Sequence, residues 1–212
     1  MTYFFIKRFI DIVGSIVLLI LFSPIITVTA FVIKLTSPGP VFADIPMRVG
    51  LKGKLFLPYK FRSMIINAHK LLLTDPKFKK LQDTYKKEDY KIHSDPRITP
   101  VGKILRKYSI DEVPQLINVL RGEMSIVGPR PLYQEELKEK LKQYPDKKKL
   151  FDQILSVKPG ITGYWQVSGR SSIDFDKRIE MDADYARKKS IVFDLAILLK
   201  TPWAMISGKN TV

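Results

Sequence analysis

Two adjacent carboxylates, Asp111 and Glu112, are the side chains of this sequence best suited to chemistry. Pro114 follows them and an apolar run covers Leu116 to Leu120. Because proline is well tolerated in the first turn of a helix, this pattern predicts a helix that begins near Asp111. Both carboxylates then lie at its positive N-terminal end, where anions are stabilised and a phosphate group can bind.

A purely structural role accounts for the same residues. Ser109 and Glu112 have the spacing of a capping box, in which two side chains satisfy free backbone N–H groups at the start of a helix, and Asp111 is itself a favoured N-cap residue. Spacing alone does not separate capping from catalysis, so both interpretations stay open at this level.

The composition restricts the partners and the chemistry. A net charge of +15, from 36 basic and 21 acidic residues, indicates an anionic partner: nucleic acid, an acidic membrane surface or a phosphorylated substrate. The sequence has no cysteine, which excludes disulfides, thiolate catalysis and cysteine-ligated metals. The two histidines, His69 and His93, are far apart in sequence and are more typical of surface or core residues than of metal ligands.

The N-terminal region contains an uncharged run, residues 12–33, whose 22 residues are enough to cross a hydrocarbon core. A single spanning helix is the default interpretation, and a signal peptide is disfavoured because the run is long for one. The third interpretation is a helix that enters the bilayer, breaks at Ser23-Pro24 and returns to the same face. Pro24 removes a backbone hydrogen bond, and the Ser23 hydroxyl can satisfy the freed carbonyl. Basic residues flank both ends of the run, which suits a hairpin with both ends in the cytoplasm.

The remaining sequence predicts a mostly helical α+β domain. A turn at Gly50–Gly53 predicts a short β-hairpin between strands at 41–49 and 55–61, and residues 162–167 form a further strand-like run. Helices are predicted within 64–91 with an interruption at Asp75-Pro76, at 103–108, over 132–155 with a break at Pro145, over 175–188 and at 191–199. The last is either a core helix or one lying flat in a membrane interface, where Trp203 is well suited.

Short motifs follow one another along nearly the whole chain. They are Lys7-Arg8-x-x-Asp11, Ser23-Pro24, Ser37–Phe42, Tyr59–Met64, Thr99–Gly102, Leu105-Arg106, Ser109–Gln115, Asn118–Gly122, Met124–Pro131, Lys158–Gly163 and Gln166–Arg170. In this order the motifs resemble those of the bacterial sugar transferases, the monotopic phosphoglycosyl transferases that start polysaccharide and glycoconjugate assembly. One departure is the link Ala43–Met47, which lacks the family's usual glutamine and is one residue longer.

The resemblance implies an anchor and a reaction. Residues 1–36 would form a re-entrant membrane anchor, and residues 37–212 a catalytic domain with interfacial amphipathic helices at the cytoplasmic face of the bacterial inner membrane. The family transfers a sugar-1-phosphate from a UDP-sugar to polyprenol (undecaprenyl) phosphate and releases UMP. It does so through a covalent phosphosugar-aspartate, and it requires Mg²⁺. The part after Gly163 resembles members that use glucose or galactose.

The resemblance implies that the aspartate of the pair is the nucleophile, and the chemistry of the neighbouring residues suggests the other roles. Asp111 would be the catalytic nucleophile and a magnesium ligand, while Glu112 would assist coordination or take a proton from the acceptor. Prolines 129 and 131 would hold the forked guanidinium of Arg130 for a phosphate or a uracil carbonyl. Arg106 is a further candidate catalytic residue. The other candidate substrate-binding residues are Lys60, Arg62, Pro129, Pro131, Gly169 and Arg170.

Two other classes of protein fit parts of the sequence. A non-enzymatic, membrane-anchored basic module that docks polymer-assembly partners would use the charge but need neither carboxylate nor magnesium. A nucleic-acid binder is favoured by charge alone, because the aromatic residues are not interleaved with lysines and a long uncharged run is out of place. Nucleic acid is therefore not an expected partner, and a homodimer is compatible with the sequence.

Overall fold

The computed structural model describes residues 2–87, 95–169 and 173–206. Its helices are α1 (Thr2–Thr36), α2 (Ala68–Thr74), α3 (Lys79–Lys87), α4 (Pro100–Lys107), α5 (Leu116–Leu120), α6 (Gln134–Gln143), α7 (Lys148–Ile154), α8 (Tyr164–Ser168), α9 (Phe175–Lys188) and α10 (Ile191–Ile206). Its strands are β1 (Arg48–Val49), β2 (Leu55–Phe56), β3 (Ser125–Val127) and β4 (Gly160–Thr162), and short 3-10 helices cover Leu51–Gly53, Pro76–Phe78, Ile110–Gln115 and Pro145–Lys147. The predicted mostly helical α+β class is confirmed.

Helix α1 is 35 residues long, which corresponds to about 52 Å at the rise of an α-helix. It is apolar enough to cross a membrane. Pro24 lies inside it, and the Ser23 hydroxyl donates a 2.7 Å hydrogen bond to the carbonyl of Ile20, the group that Pro24 leaves without its helical donor. The local role predicted for Ser23 is therefore confirmed. Helical structure continues across Pro24, and the re-entrant path stays a prediction.

Polar side chains fix the first part of α1 to the rest of the molecule. Asp11 is only 3% exposed and accepts hydrogen bonds from the Ser125 hydroxyl at 2.9 Å and from the Ile126 backbone N–H at 3.0 Å, both on β3. Arg8 donates bonds of 2.6 and 2.8 Å to the last two carbonyls of α5. Since β3 leads into the Gly128–Pro131 segment, α1 is tied to the elements that carry the candidate site.

The last part of α1 is also packed against the domain. Ile33 is buried in a cluster with Phe61 and Leu105. Between the two docked parts, side chains such as Ile20 and Leu21 are exposed. Both ends of α1 therefore contact one folded domain, while an apolar surface between them faces outward.

Two small sheets are present. β1 and β2 form the predicted antiparallel hairpin, with shorter strands than expected, and β3 pairs with β4 in parallel. The backbones of Gly128 and Gly160 meet so closely that a Cβ on Gly160 would lie 2.1 Å from the Gly128 nitrogen. The glycines of the Gly128–Pro131 and Lys158–Gly163 motifs therefore permit the two segments to pack together.

The predicted strand over residues 162–167 is wrong, because helix α8 occupies most of that run. The partner strand β3 ends at Val127 and is followed by Gly128 and Pro129, and a proline has no N–H to extend a ladder. The chain after Thr162 therefore lacks a strand to pair with, and helix α8 buries Trp165 instead.

The helix predictions are confirmed in most places. α9 covers 175–188 as expected, a 3-10 turn at Pro145–Lys147 separates α6 from α7, and another interrupts the helices around Asp75-Pro76. α10 has two faces, since Ile197 is buried in the core while Leu199 and Trp203 are 82% and 78% exposed. The central core joins α5, β3, α9 and α10 around Val119, Val127, Tyr185 and Ile197.

Candidate active site

A cavity of about 770 Å³ lies beside the Asp111-Glu112 pair. Its charged lining comes from distant parts of the chain: Asp44, Arg48, Lys60, Arg62, Asp95, Arg97, Arg106, Asp111, Glu112, Arg130, Glu136 and Arg178. Its apolar lining includes Leu18 and Phe22 of α1 and Leu198, Pro202 and Met205 of α10. One cavity is therefore lined both by cations and carboxylates and by apolar side chains of the long N-terminal helix.

Asp111 is 2% exposed and is held next to Lys60 by the backbone. The N–H of Phe61 donates a 2.9 Å hydrogen bond to the Asp111 carbonyl, which sets the preceding Lys60 beside both carboxylates. The ammonium nitrogen of Lys60 lies 3.0 Å from Oδ2 of Asp111 and 3.2 Å from Oε1 of Glu112. The structure therefore brings the carboxylate pair and one predicted cation into direct contact.

Glu112 also contacts Arg130, whose Nη1 lies 3.6 Å from Oε1. Burial by itself raises the pKa of Glu112, but Lys60 and Arg130 outweigh burial and lower the pKa from 4.5 to about 2. Glu112 is therefore ionised throughout the physiological pH range and is a weak base.

The capping-box interpretation is wrong for this segment. Ser109 has a left-handed backbone with φ of 55°, and its side chain makes no capping hydrogen bond. The segment that follows is a 3-10 helix over Ile110–Gln115, and α5 begins only at Leu116. Glu112 instead directs its carboxylate to Lys60 and Arg130, so cationic side chains stabilise the pair more directly than a helix end does.

The Pro129-Arg130-Pro131 segment is held at three backbone groups. The Pro129 carbonyl accepts a 2.8 Å bond from Gly160, and the Pro131 carbonyl accepts a 2.9 Å bond from Arg48. Arg130 carries the one N–H of the segment, because proline has none, and it donates to the carboxyl group of Asp182. Hydrogen bonds therefore hold the Arg130 backbone in place, and the rigidity expected from the flanking prolines stays a prediction.

Asp182 supports this segment from α9 and is 2% exposed. Burial raises the pKa of Asp182 to about 8, against the opposing effects of Arg178 and of the Arg130 N–H. Nη2 of Arg178 lies 3.1 Å from Oε1 of Glu136, and the Arg178 guanidinium also contacts the rings of Trp165 and Phe175. A layer of buried polar groups on α6 and α9 therefore lies behind Arg130.

Two predicted phosphate-binding arginines make other contacts. Arg106 lines the cavity and its Nε donates a 3.1 Å hydrogen bond to the Ser63 hydroxyl. The guanidinium of Arg62 donates to the carbonyls of Ser37 and Pro38, so it fastens the turn that follows α1. A role in phosphate binding stays a prediction for both, and Arg62 has fewer donors left for it.

Of the remaining predicted residues, those that the structure describes lie at the edge of the site or beyond it. Pro131 lines the cavity, whereas Pro129 is fully buried behind it. Gly169 ends helix α8 and is not part of the cavity lining. Arg170 lies outside the described residues. Their binding roles remain predictions.

Several side chains of the cavity were not predicted from the sequence: Arg48, His69, Tyr133, Glu136 and Arg178, with Asp182 behind them. The pair Arg178 and Asp182 has the i, i+4 spacing of an ordinary surface ion pair, which conceals its burial. Arg48 and Tyr133 are 85 positions apart in sequence and have no local pattern that links them.

Comparisons with known proteins agree with the motifs. A family model described as "Bacterial sugar transferase" matches residues 2–208. An undecaprenyl-phosphate galactose phosphotransferase of Salmonella typhimurium is 44% identical over 201 residues, which are 93% of this chain and 40% of the relative.

Two further relatives show similar identity. The UDP-glucose:undecaprenyl-phosphate glucose-1-phosphate transferase of Escherichia coli is 39% identical over 92% of this chain and 39% of its own length. The exopolysaccharide production protein ExoY of Rhizobium meliloti is 38% identical over 92% of this chain and 83% of its own length. The chain thus spans about two fifths of the Salmonella and Escherichia proteins and most of ExoY.

Proposed function

Because the chain belongs to the bacterial sugar transferase family, we propose that it transfers a sugar-1-phosphate from a UDP-sugar to polyprenol phosphate and releases UMP. The observation that carries this proposal is the mixed lining of the cavity. Lys60 and Arg130 offer positive charge to phosphates beside Asp111, while Leu18 and Phe22 of α1 offer an apolar wall to a lipid. The names of the Salmonella and Escherichia relatives support the same pair of substrates.

The reaction proceeds in two displacements at one phosphorus. An Asp111 carboxylate oxygen attacks the β-phosphorus of the donor, so that a carboxyl–phosphorus bond forms and the bond to the UMP oxygen breaks. A phosphate oxygen of the polyprenol phosphate then attacks the same phosphorus and releases the Asp111 carboxylate. Two steps allow a water-soluble donor and a lipid acceptor to use the site in turn.

The cations around the pair stabilise charge during both displacements. Lys60 contacts both carboxylates and Arg130 contacts Glu112, so each lies where the phosphate oxygens of a donor on Asp111 would arrive. The lowered pKa of Glu112 favours coordination over proton transfer, because an effective general base has a pKa near the working pH.

The carboxylate pair also fits a magnesium ion. Among residues 2–87, 95–169 and 173–206 no three Asp, Glu or His side chains come together. Mg²⁺, however, is commonly bound through one or two carboxylates plus substrate phosphates, and Asp111 and Glu112 supply oxygen ligands of that kind. Bound there, the ion would neutralise charge on the donor diphosphate.

A panel of UDP-sugars tests the proposed function. The purified chain in detergent, supplied with polyprenol phosphate and Mg²⁺, is expected to release UMP from at least one UDP-hexose, with glucose and galactose first in the series. Chelation with EDTA should abolish release and added Mg²⁺ should restore it. No UMP release with any donor, from protein that melts cooperatively, would exclude this function.

We also propose that α1 is re-entrant, with the domain on the cytoplasmic face of the inner membrane. Arg8 and Asp11 near one end of α1, and Ile33 near the other, contact the same domain. A straight spanning helix would place these ends on opposite sides of a core about 30 Å thick. The exposed apolar stripe of α10, which includes Leu199 and Trp203, adds a surface suited to the same membrane face.

The cysteine-free sequence permits a clean test of this topology. Thr2→Cys at the start of α1 and Lys52→Cys on the exposed hairpin turn are each treated with a membrane-impermeant maleimide. For a re-entrant helix, both cysteines should react only after the membrane is opened. Reaction of Thr2→Cys in intact spheroplasts, with Lys52→Cys still protected, would establish a spanning helix instead.

A further inference from the structure

We propose that Arg48, Tyr133 and His69 form the subsite for the nucleobase of the donor. The inference rests on the proposed function, since it divides the cavity between the phosphate and base portions of a nucleoside diphosphate sugar. All three side chains line the cavity and are partly accessible. They come from β1, the segment before α6, and α2.

The three groups form a stack of flat surfaces. The guanidinium carbon of Arg48 lies 3.4 Å from the centroid of the Tyr133 ring. The imidazole of His69 is inclined by only 17° to the same ring, with the ring centroids 6.4 Å apart. Nucleobases stack on planar guanidinium groups and on aromatic rings. Such stacking does not depend on a particular pattern of hydrogen bonds.

The stack is fixed in position. Arg48 donates a 2.9 Å hydrogen bond to the Pro131 carbonyl, which restrains the plane of its guanidinium. The backbone N–H of Tyr133 donates to Glu136, and Glu136 is in turn paired with Arg178. A stacking surface held in this way loses little conformational freedom when a ligand binds.

The position of the stack relative to the carboxylates suits a diphosphate. Arg48 is bonded to the residue that follows Arg130, and Arg130 contacts Glu112. A ligand whose phosphates lie on Lys60 and Arg130 therefore has the stack beside it.

The charge of the stack suits a neutral base better than a further phosphate. Burial lowers the pKa of His69, so its imidazole is neutral at pH 7 and presents an aromatic face. The Arg48 charge is already directed at the Tyr133 ring and the Pro131 carbonyl. A pyrimidine face is attracted to such a cation and aromatic surface.

Binding of UMP and of inorganic pyrophosphate to the full chain in detergent tests the proposal. His69→Ala and Tyr133→Leu each remove one ring and are expected to weaken UMP binding at least fivefold by calorimetry, whereas pyrophosphate binding stays within twofold of wild type. Tyr133→Phe is the matched control, since it keeps the ring and should bind UMP as wild type does.

Two outcomes would overturn the proposal. The first is UMP affinity that is unchanged in both ring-removing variants. The second is a loss confined to the intact UDP-sugar with UMP unaffected, which would assign the stack to the sugar. Because UMP binding is measured without acceptor or turnover, the result is independent of whether the wild-type chain transfers sugar phosphate to polyprenol phosphate.

Discussion

Replacing Asp111 by Asn is expected to reduce turnover by about three orders of magnitude or more, as removal of a covalent nucleophile commonly does. The amide is nearly isosteric with the carboxylate but is a poor nucleophile. With a donor labelled in the sugar phosphate and no acceptor present, wild-type protein should retain label after denaturation, and the Asn variant should retain none. The retained label reports directly on the proposed covalent step.

The control for this experiment is a carboxylate of the same type outside the cavity. Asp152 is exposed on α7, so Asp152→Asn should retain wild-type turnover and labelling. Thermal melting checks that Asp111→Asn is folded. We expect it to fold, because Lys60 can still contact Glu112 in the variant. Comparable turnover by a folded Asp111→Asn protein would show that Asp111 is not the nucleophile.

The sequence was most informative where local rules decide structure. Residues 175–188 form a helix because their apolar positions share one face and Asp174 caps the first turn through the backbone N–H of Lys177. The Ser23 hydroxyl donates to the Ile20 carbonyl, which Pro24 leaves without its helical donor, as the sequence predicts. The hairpin turn at Gly50–Gly53 likewise follows from its glycines, since Gly53 has a φ of 79°.

Predictions from neighbouring residues failed where contacts between distant residues determine the local structure. The pattern of Ser109 and Glu112 fits a cap, but Lys60 and Arg130 draw the Glu112 side chain elsewhere. The run after Thr162 has strand-forming residues, but Pro129 gives it no ladder to join. In both cases the deciding partner is remote in sequence, so no window of neighbouring residues contains the information.

The candidate site shows the same division. Adjacent carboxylates and an arginine between prolines are visible in the sequence, and Lys60 was a candidate substrate-binding residue, but its contact with Asp111 is seen only in the structure. Arg48 and Asp182 were not visible, although they hold the Pro131 carbonyl and the Arg130 N–H. Residues that act by orienting another residue carry no motif of their own, and three-dimensional contacts are needed to find them.

Asp11 gives the second prediction of large effect, because it is a buried carboxylate that joins α1 to β3. Asp11→Ala leaves the Ser125 hydroxyl and the Ile126 N–H without their acceptor. Each unsatisfied buried donor costs about 1–3 kcal/mol, so the loss of both should lower the free energy of unfolding by about 2–6 kcal/mol. At about 2–4 °C per kcal/mol for a chain of this size, the midpoint of thermal unfolding in detergent should then fall by about 4–24 °C.

Asp11→Asn separates hydrogen bonding from charge in this contact. The amide oxygen still accepts hydrogen bonds, so this variant should recover at least half of the loss seen with Asp11→Ala. Since β3 continues into the segment that carries Arg130, Asp11→Ala should also lower kcat/KM for the UDP-sugar more than Asp11→Asn does. Equal melting midpoints for wild type and Asp11→Ala would show that α1 docks through its apolar contacts alone.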